Sequence, residues 1–156
     1  MNAVERIYHN IHNGVMSCDA MPCVPGRCVA IIAAGSYDCT MAKFTFEEAE
    51  ALLPKIKQIT AKASARIEEL VGRAYDFPEE DLEREEIEQI IRVVINDWGE
   101  AIRSYGALPK GLWLVDFDSG GGFYYCWQHP EERIAFIHSQ NAGFAEREPI
   151  VPGVLH

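Results

Sequence analysis

The sequence predicts an α+β fold, in which a long antiparallel helical hairpin is followed by a three-stranded antiparallel meander. Two patterns lead to this prediction. Between residues 45 and 106, apolar residues recur every three or four positions, which is the spacing of one helix face. After residue 111, three short apolar runs are separated by links that contain glycine, proline and acidic residues, which is typical of strands joined by turns.

The first helix is predicted to begin at a capping box, Thr45-Phe46-Glu47-Glu48. In this motif the Thr45 hydroxyl accepts a hydrogen bond from the backbone N–H of Glu48, and the Glu48 carboxylate accepts one from the N–H of Thr45. The apolar face continues to about Tyr75. Pro54 lies inside the helix and lacks the N–H that an interior residue donates, so we expect a kink there.

The second helix is predicted to begin near Pro78 and to end before Gly106. Proline suits the first turn of a helix, and the acidic residues that follow Pro78 suit the positive end of the helix dipole. Glycine followed shortly by Pro109 is typical of a helix C-terminus. Because the connection between the two helices is short, they are expected to form an antiparallel hairpin.

The three predicted strands are residues 112–117, 123–128 and 133–138. The middle one, Phe-Tyr-Tyr-Cys-Trp-Gln, is apolar on both faces and therefore requires cover on both sides. One helical hairpin covers only one of them. We therefore expect a homodimer, through a four-helix bundle or a sheet-to-sheet contact. The alternative is that residues 1–40 fold over the second face.

The chain of 156 residues is long enough for one domain and an extension. Residues 1–40 are predicted to be a poorly determined N-terminal extension, and residues 41–156 a single α+β domain. The formal net charge is −10 at pH 7, which argues against nucleic acid and anionic membranes as partners. No apolar run approaches the roughly 18 residues that a membrane span needs. We expect a cytoplasmic protein whose cysteines are reduced.

The extension contains four of the five cysteines, Cys18, Cys23, Cys28 and Cys39. None of them forms a Cys-x-x-Cys pair, so the spacing of a zinc or iron–sulfur site is absent. The sequence therefore predicts neither a metal nor a cofactor.

Two parts of the sequence together resemble the bacterial proteins of domain-of-unknown-function family 2203. The first is Phe-Thr-Phe-Glu-Glu-Ala-Glu-Ala-Leu-Leu-Pro, at residues 44–54. The second is a dispersed pattern, which consists of Gly111-Leu112, Val115-Asp116-Phe117, Cys126-Trp127, Ile134-Ala135, His138, Gly143-Phe144, Arg147 and Pro149. The resemblance covers about residues 41–150. It departs from the family pattern at Asp118, where proline is usual, and at Glu146, where glycine is usual. It implies a small bacterial protein and assigns no activity.

The end of the last predicted strand carries the residues best suited to a ligand site. In the registers that the turns suggest, Phe123 lies opposite Asp116 on one side and opposite His138 on the other. Both polar side chains then share a face at one end of the sheet, where the carboxylate would fix the imidazole tautomer for general-base work. A shift of one residue would move Asp116 to the opposite face. The alternatives are a strand-end histidine that bonds to the backbone and a histidine that ligates a metal.

Phe144 and Arg147 follow His138 in a short loop. An aromatic wall and a guanidinium would suit a carboxylate or phosphate ligand, and Trp127 is expected behind them. In the alternative, Phe144 fills the core and Arg147 pairs with a nearby acid. Cys126 is interpreted as a small apolar residue in the middle of a strand.

Two main functions remain open from the sequence, and metal binding at Asp116, His138 and Arg147 is a minor third alternative. The first is a homodimeric binding module that takes a small anionic ligand or a protein partner. The second is a small enzyme in which His138, oriented by Asp116, acts as acid or base and Arg147 holds an anionic substrate. Whether the protein is an enzyme is not decided by the sequence.

Overall fold

The computed structural model of the protein describes residues 42–151. The predicted N-terminal extension of residues 1–40, with its four cysteines, lies outside the described residues. The domain boundary near residue 41 therefore stays a prediction, and so does the idea that the extension covers the second face of the sheet.

Helix α1 spans Phe46–Ala74, and the predicted capping box forms at its start. The backbone N–H of Glu48 donates to Thr45 Oγ1 at 3.2 Å, and the N–H of Thr45 donates to Glu48 Oε2 at 2.8 Å. The helix runs through Pro54 as one element. Its predicted end near Tyr75 is confirmed, because Tyr75 is the C-cap.

Helix α2 spans Leu82–Ser104, so the predicted start near Pro78 is wrong by about one turn. The helix begins later because Asp81 is its N-cap, and the Asp81 carboxylate accepts a hydrogen bond of 2.9 Å from the N–H of Glu83. The end is as predicted, since Gly106 follows the C-cap with a φ of +83°. The two helices pack against each other as a hairpin.

Across residues 42–151 the sheet has five antiparallel strands rather than the three predicted, in the spatial order of the sequence. They are β1 (Leu108–Gly111), β2 (Leu114–Asp118), β3 (Phe123–Gln128), β4 (Phe136–Ser139) and β5 (Glu148–Pro149). The prediction of an α+β fold with an antiparallel meander is correct, and the strand count is not. The two added strands are short and lie at the edges.

Both predicted strand registers are wrong. In the β2–β3 pair, Asp116 lies opposite Cys126 and not Phe123, which is a difference of three residues. In the β3–β4 pair, His138 lies opposite Tyr124, which is a difference of one residue. An odd difference moves a side chain to the other face of the sheet. Because both differences are odd, Asp116 and His138 change faces together.

The two faces of the sheet have different roles. The inner face carries Val115, Phe117, Tyr125 and Trp127, which share one apolar core with the buried residues of both helices. In this core the rings of Trp98 and Trp113 meet edge to face with centroids 5.1 Å apart. Its large aliphatic members include Leu53, Ile56, Ile67, Leu70, Ile87, Ile91, Ile102 and Ile134. The outer face carries Asp116, Tyr124, Cys126 and His138, because successive strand residues alternate.

Candidate functional site: a buried polar cluster on the outer face

Asp116, Cys126 and His138 form what we call the outer-face cluster. They lie on three adjacent strands, and one oxygen, the sulfur and one ring nitrogen are all within 4.8 Å of one another. The three residues are 1%, 0% and 7% exposed. Buried polar groups in proteins are usually hydrogen-bonded, so the hydrogen bonds within this cluster determine the chemistry of its side chains.

Both ring nitrogens of His138 have a partner. Nδ1 lies 2.9 Å from the backbone oxygen of Ser139, and Nε2 lies 3.0 Å from Asp116 Oδ2. A carbonyl oxygen only accepts, so Nδ1 carries a proton and donates it. The ring is thereby held with Nε2 facing the carboxylate. A hydrogen bond between Nε2 and Oδ2 then requires one further proton, on either the imidazole or the carboxyl group.

Burial raises the pKa of Asp116 above its ordinary value, although the charge of His138 and hydrogen bonds from His138 and Cys126 partly oppose this. Among the described residues, Asp116 Oδ1 is buried and has no hydrogen bond of ordinary geometry. The thiol of Cys126 lies near the carboxyl group but is a weak donor. One carboxylate oxygen in the cluster is therefore poorly satisfied.

Burial also raises the pKa of the Cys126 thiol, to about 12, and the negative charge of Asp116 adds to the effect. The positive charge of Arg147 works in the opposite direction. At neutral pH the cluster as it stands contains a protonated thiol rather than a thiolate nucleophile.

Two basic side chains lie near the cluster. The Nζ of Lys110 is 5.3 Å from the centroid of the Tyr124 ring, and the Arg147 guanidinium carbon is 4.4 Å from the centroid of the Phe136 ring. Arg147 also pairs with Glu131, at 3.0 Å between Nη1 and Oε1. An anion that approaches Arg147 therefore competes with the Glu131 carboxylate.

The structure brings together only part of the predicted site. Asp116 and His138 meet as predicted, although not beside Phe123, and Arg147 lies near Cys126.

Trp127 lies on the inner face, where its indole N–H donates to the backbone oxygen of Glu131 at 2.8 Å. The backbone of Phe144 begins a short 3₁₀ helix, Phe144–Glu146.

Sequence reasoning missed two members of this region, Cys126 and Lys110. The alternation within β3 places Cys126 on the same face as Tyr124, and this signal is present in the sequence. The predicted registers put Asp116 and His138 on the same face as Phe123, which is opposite to that of Cys126, so this signal did not connect the three residues. Lys110 belongs to β1, a strand that the sequence did not predict.

A separate open cleft of about 1050 Å³ lies between the start of α1 and the inner face. Its lining includes the apolar side chains of Phe46, Phe123 and Ile134 and the charged side chains of Glu47 and Arg133. Asp116, Cys126 and His138 are not among its lining residues, so the cleft is not an entrance to the cluster.

Within residues 42–151, neither helix combines the length and the apolar composition that a membrane crossing requires.

The model of the family described as "Uncharacterized conserved protein (DUF2203)" matches residues 43–150, more than half of the 156-residue chain. No curated protein and no solved structure matches the chain. The matched segment contains both helices, all five described strands and the outer-face cluster.

Proposed function

The chain belongs to the family of uncharacterised conserved proteins DUF2203, and we propose that it acts as a homodimeric binding module. The observation that carries the dimer is an exposed apolar stripe on α2. Leu82, Ile90 and Val93 are 74%, 43% and 58% exposed. At about 100° per residue these three positions fall on one side of the helix, away from the buried Ile91 and Trp98.

A second copy of the chain is the occupant that this stripe fits best. The stripe runs from Leu82 to Val93, about 17 Å of a helix that is about 35 Å long, and two copies packed around a two-fold axis would bury it. In this arrangement α2 makes the contact with the partner, and α1 lies on the far side of each copy. Glu86 and Asp97 lie on the same side as the stripe, and their repulsion predicts a dimer that salt strengthens.

The ligand of the module is proposed to bind at the outer face. Lys110 and Arg147 supply positive charge there on a protein whose net charge is −10. A small anion or an acidic segment of a partner protein would be attracted to this edge. It would have to displace Glu131 from Arg147, so we expect weak binding unless other groups contribute.

Sedimentation velocity of the full chain at micromolar concentrations, in low and high salt, tests the dimer. We expect a dimer for the wild type and a monomer for Val93→Glu, because a buried unpaired carboxylate is strongly unfavourable. Ala65→Glu, on the exposed side of α1, introduces the same charge and should leave the dimer intact. A wild-type chain that remains monomeric in high salt would contradict the proposal.

A second candidate function is acid–base catalysis by His138 with Asp116. The contact of 3.0 Å between Nε2 and Oδ2 favours it. The burial of the ring weighs against it, since a general base must come within hydrogen-bond reach of its substrate. Modification by diethyl pyrocarbonate distinguishes a His138 that substrate can reach from one that is buried and structural, and the half-buried His129 serves as the reference. A catalytic His138 should react at a rate similar to that of His129, whereas a buried structural one should be protected.

A further inference from the structure

The three residues of the outer-face cluster are all metal-ligand types. Asp116 contributes a carboxylate, Cys126 a sulfur and His138 an imidazole nitrogen, from strands β2, β3 and β4. Their ligand atoms lie within 4.8 Å of one another. From this geometry we infer that the cluster is a binding site for one divalent transition-metal ion of the zinc type.

The spacing is close to what such an ion requires. Zinc lies about 2.3 Å from sulfur and about 2.0–2.2 Å from nitrogen and oxygen, so tetrahedral ligand atoms are about 3.3–3.8 Å apart. Asp116 and His138 are slightly closer than this, at 3.0 Å, and the largest separation in the cluster is below 4.8 Å. Movements of the ligand atoms by about 1 Å would bring the largest separation into this range.

The tautomer of His138 is already the one that a metal requires. Its Nδ1–H is held by the backbone oxygen of Ser139, which leaves Nε2 directed at the cluster. Metal-bound histidines almost always donate their second ring N–H to a carbonyl or a carboxylate, which fixes the ring and increases its basicity. Ser139 provides this outer contact without any rearrangement.

Asp116 supplies an independent observation that points to a cation. The residue is 1% exposed, and within the described part of the chain its Oδ1 has no hydrogen bond of ordinary geometry. A buried carboxylate oxygen without a partner is costly, and a coordinated ion would remove that cost. A divalent ion, one carboxylate and one thiolate sum to zero charge. Two protons leave to solvent when the ion binds, one from the thiol and one from between Nε2 and Oδ2.

The ligand set selects the class of metal. Thiolate and imidazole ligands suit zinc and its transition-metal neighbours, whereas magnesium and calcium prefer oxygen ligands. Three protein ligands leave a fourth position open to water or to a small ligand. Lys110 and Arg147 favour the ionised ligands but also repel a cation. The affinity should therefore be lower than that of a site with four protein ligands.

Cobalt(II) is the probe that tests this site, because a bond from cobalt to a thiolate has a charge-transfer band in the near ultraviolet. The full-length chain is used with Cys18, Cys23, Cys28 and Cys39 replaced by serine, so that Cys126 is the only thiol. We expect one cobalt per chain with this band, and displacement of cobalt by zinc. Cys126→Ser should abolish the band, and Asp116→Asn should weaken binding at least tenfold.

Two controls keep the result interpretable. Tyr124→Phe removes a hydroxyl on the same face and should bind cobalt within about twofold of the parent, since no ligand is lost. The parent protein itself, labelled with ¹⁵N, should show a shift of the His138 Nε2 resonance on addition of one equivalent of zinc. This measurement needs no substitution within the cluster.

A missing charge-transfer band, a band that survives Cys126→Ser, or an unchanged His138 resonance would overturn the metal site. The inference does not rest on the dimer. Val93→Glu should still bind one cobalt per chain even as a monomer, so the failure of one proposal is distinguishable from the failure of the other.

Discussion

His138 and Asp116 make a direct contact although β3 lies between their strands: Nε2 is 3.0 Å from Oδ2. The contact passes across Cys126, which lies opposite Asp116 and has a small side chain. Because Nδ1 donates to the backbone oxygen of Ser139, Nε2 has only Asp116 as its partner within the described residues. The pair thus requires either one shared proton or a cation between its two atoms.

The first prediction concerns the stability of two Asp116 substitutions in the metal-free protein. Asparagine has an N–H that can donate to Nε2, whereas alanine leaves Nε2 buried without a partner. We expect Asp116→Ala to lower the free energy of unfolding by about 1–3 kcal/mol more than Asp116→Asn does. Urea denaturation with a chelator present measures the difference. Equal losses for both variants would indicate that His138 does not depend on this contact.

The helices were predictable from sequence because their signals are local. The capping box and the three-to-four spacing define α1 from the residues of α1 alone. The predicted start of α2 is too early because Pro78 suits the first turn of a helix and Asp81 suits the N-cap, and propensity does not decide between the two starts. The hydrogen bond from Glu83 N–H to the Asp81 carboxylate decides the position.

The sheet registers were not predictable because two local signals are weak. The β3 sequence is apolar on both faces, so its pattern does not fix which residue faces the core. The β2–β3 link between the paired residues Asp118 and Tyr124 is longer than a two-residue turn, and its Gly120 and Gly122 adopt φ values of +74° and +87°. Ile134 was assigned to a strand, but its N–H donates to the Glu50 side chain on α1 at 2.8 Å.

The contact between Asp116 and His138 was predicted correctly on the basis of incorrect registers. The register error is three residues in the β2–β3 pair and one residue in the β3–β4 pair, and each moves its side chain to the other face. The two side chains therefore still share a face, but it is the outer face rather than the inner one. The β3 residues beside the contact are therefore Cys126, opposite Asp116, and Tyr124, opposite His138, rather than Phe123. This difference matters chemically, because a sulfur in that position converts a pair into a set of three metal-ligand types.

The second prediction concerns Asp118. Burial opposes its ionised form, but hydrogen bonds from Lys43 and from the Gly120 N–H, at 2.7 Å for the latter, lower its pKa overall. The native state then binds this proton less tightly than the unfolded state, so the stabilisation is present above the ordinary carboxyl pKa and is lost as pH falls through the lowered value.

Lys43→Met tests this interaction. We expect the free energy of unfolding at pH 7 to fall by no more than about 1 kcal/mol, because the Lys43 side chain is 53% exposed and the pair is screened by solvent. The difference from the wild type should shrink as the pH is lowered through the acidic range. A double-mutant cycle with Asp118→Asn isolates the pair, and a loss that is independent of pH would contradict the assignment.

The third prediction concerns the contact between the helices. Trp98 Nε1 donates to Thr60 Oγ1 at 3.0 Å, and both side chains are buried. Thr60→Val keeps the shape but leaves the indole N–H without an acceptor, which should cost about 1–3 kcal/mol. Thr60→Ser keeps the oxygen and loses one methyl group, so it should cost about 1 kcal/mol or less. Guanidinium denaturation followed by tryptophan fluorescence ranks the two; a serine variant that is the less stable would contradict the role of the hydrogen bond.

The fourth prediction compares two glycines in different backbone environments. Gly106 has a φ of +83°, and a Cβ placed on it would lie 2.5 Å from the Cβ of Ala42. Gly72 lies in α1 with nothing within 4 Å of the corresponding position. Gly72→Ala should raise the free energy of unfolding by about 0.5–1 kcal/mol, since it favours the helix.

Gly106→Ala should lower the free energy of unfolding by at least about 1–2 kcal/mol, the cost of a left-handed conformation for a residue with a side chain. The clash with Ala42 adds to this cost and displaces the segment that leads to Phe44, whose N–H donates to the backbone oxygen of Asp118 at 2.8 Å. Thermal unfolding of both variants, measured side by side, gives the sign of each effect. Similar shifts for the two would mean that the turn after α2 does not require glycine.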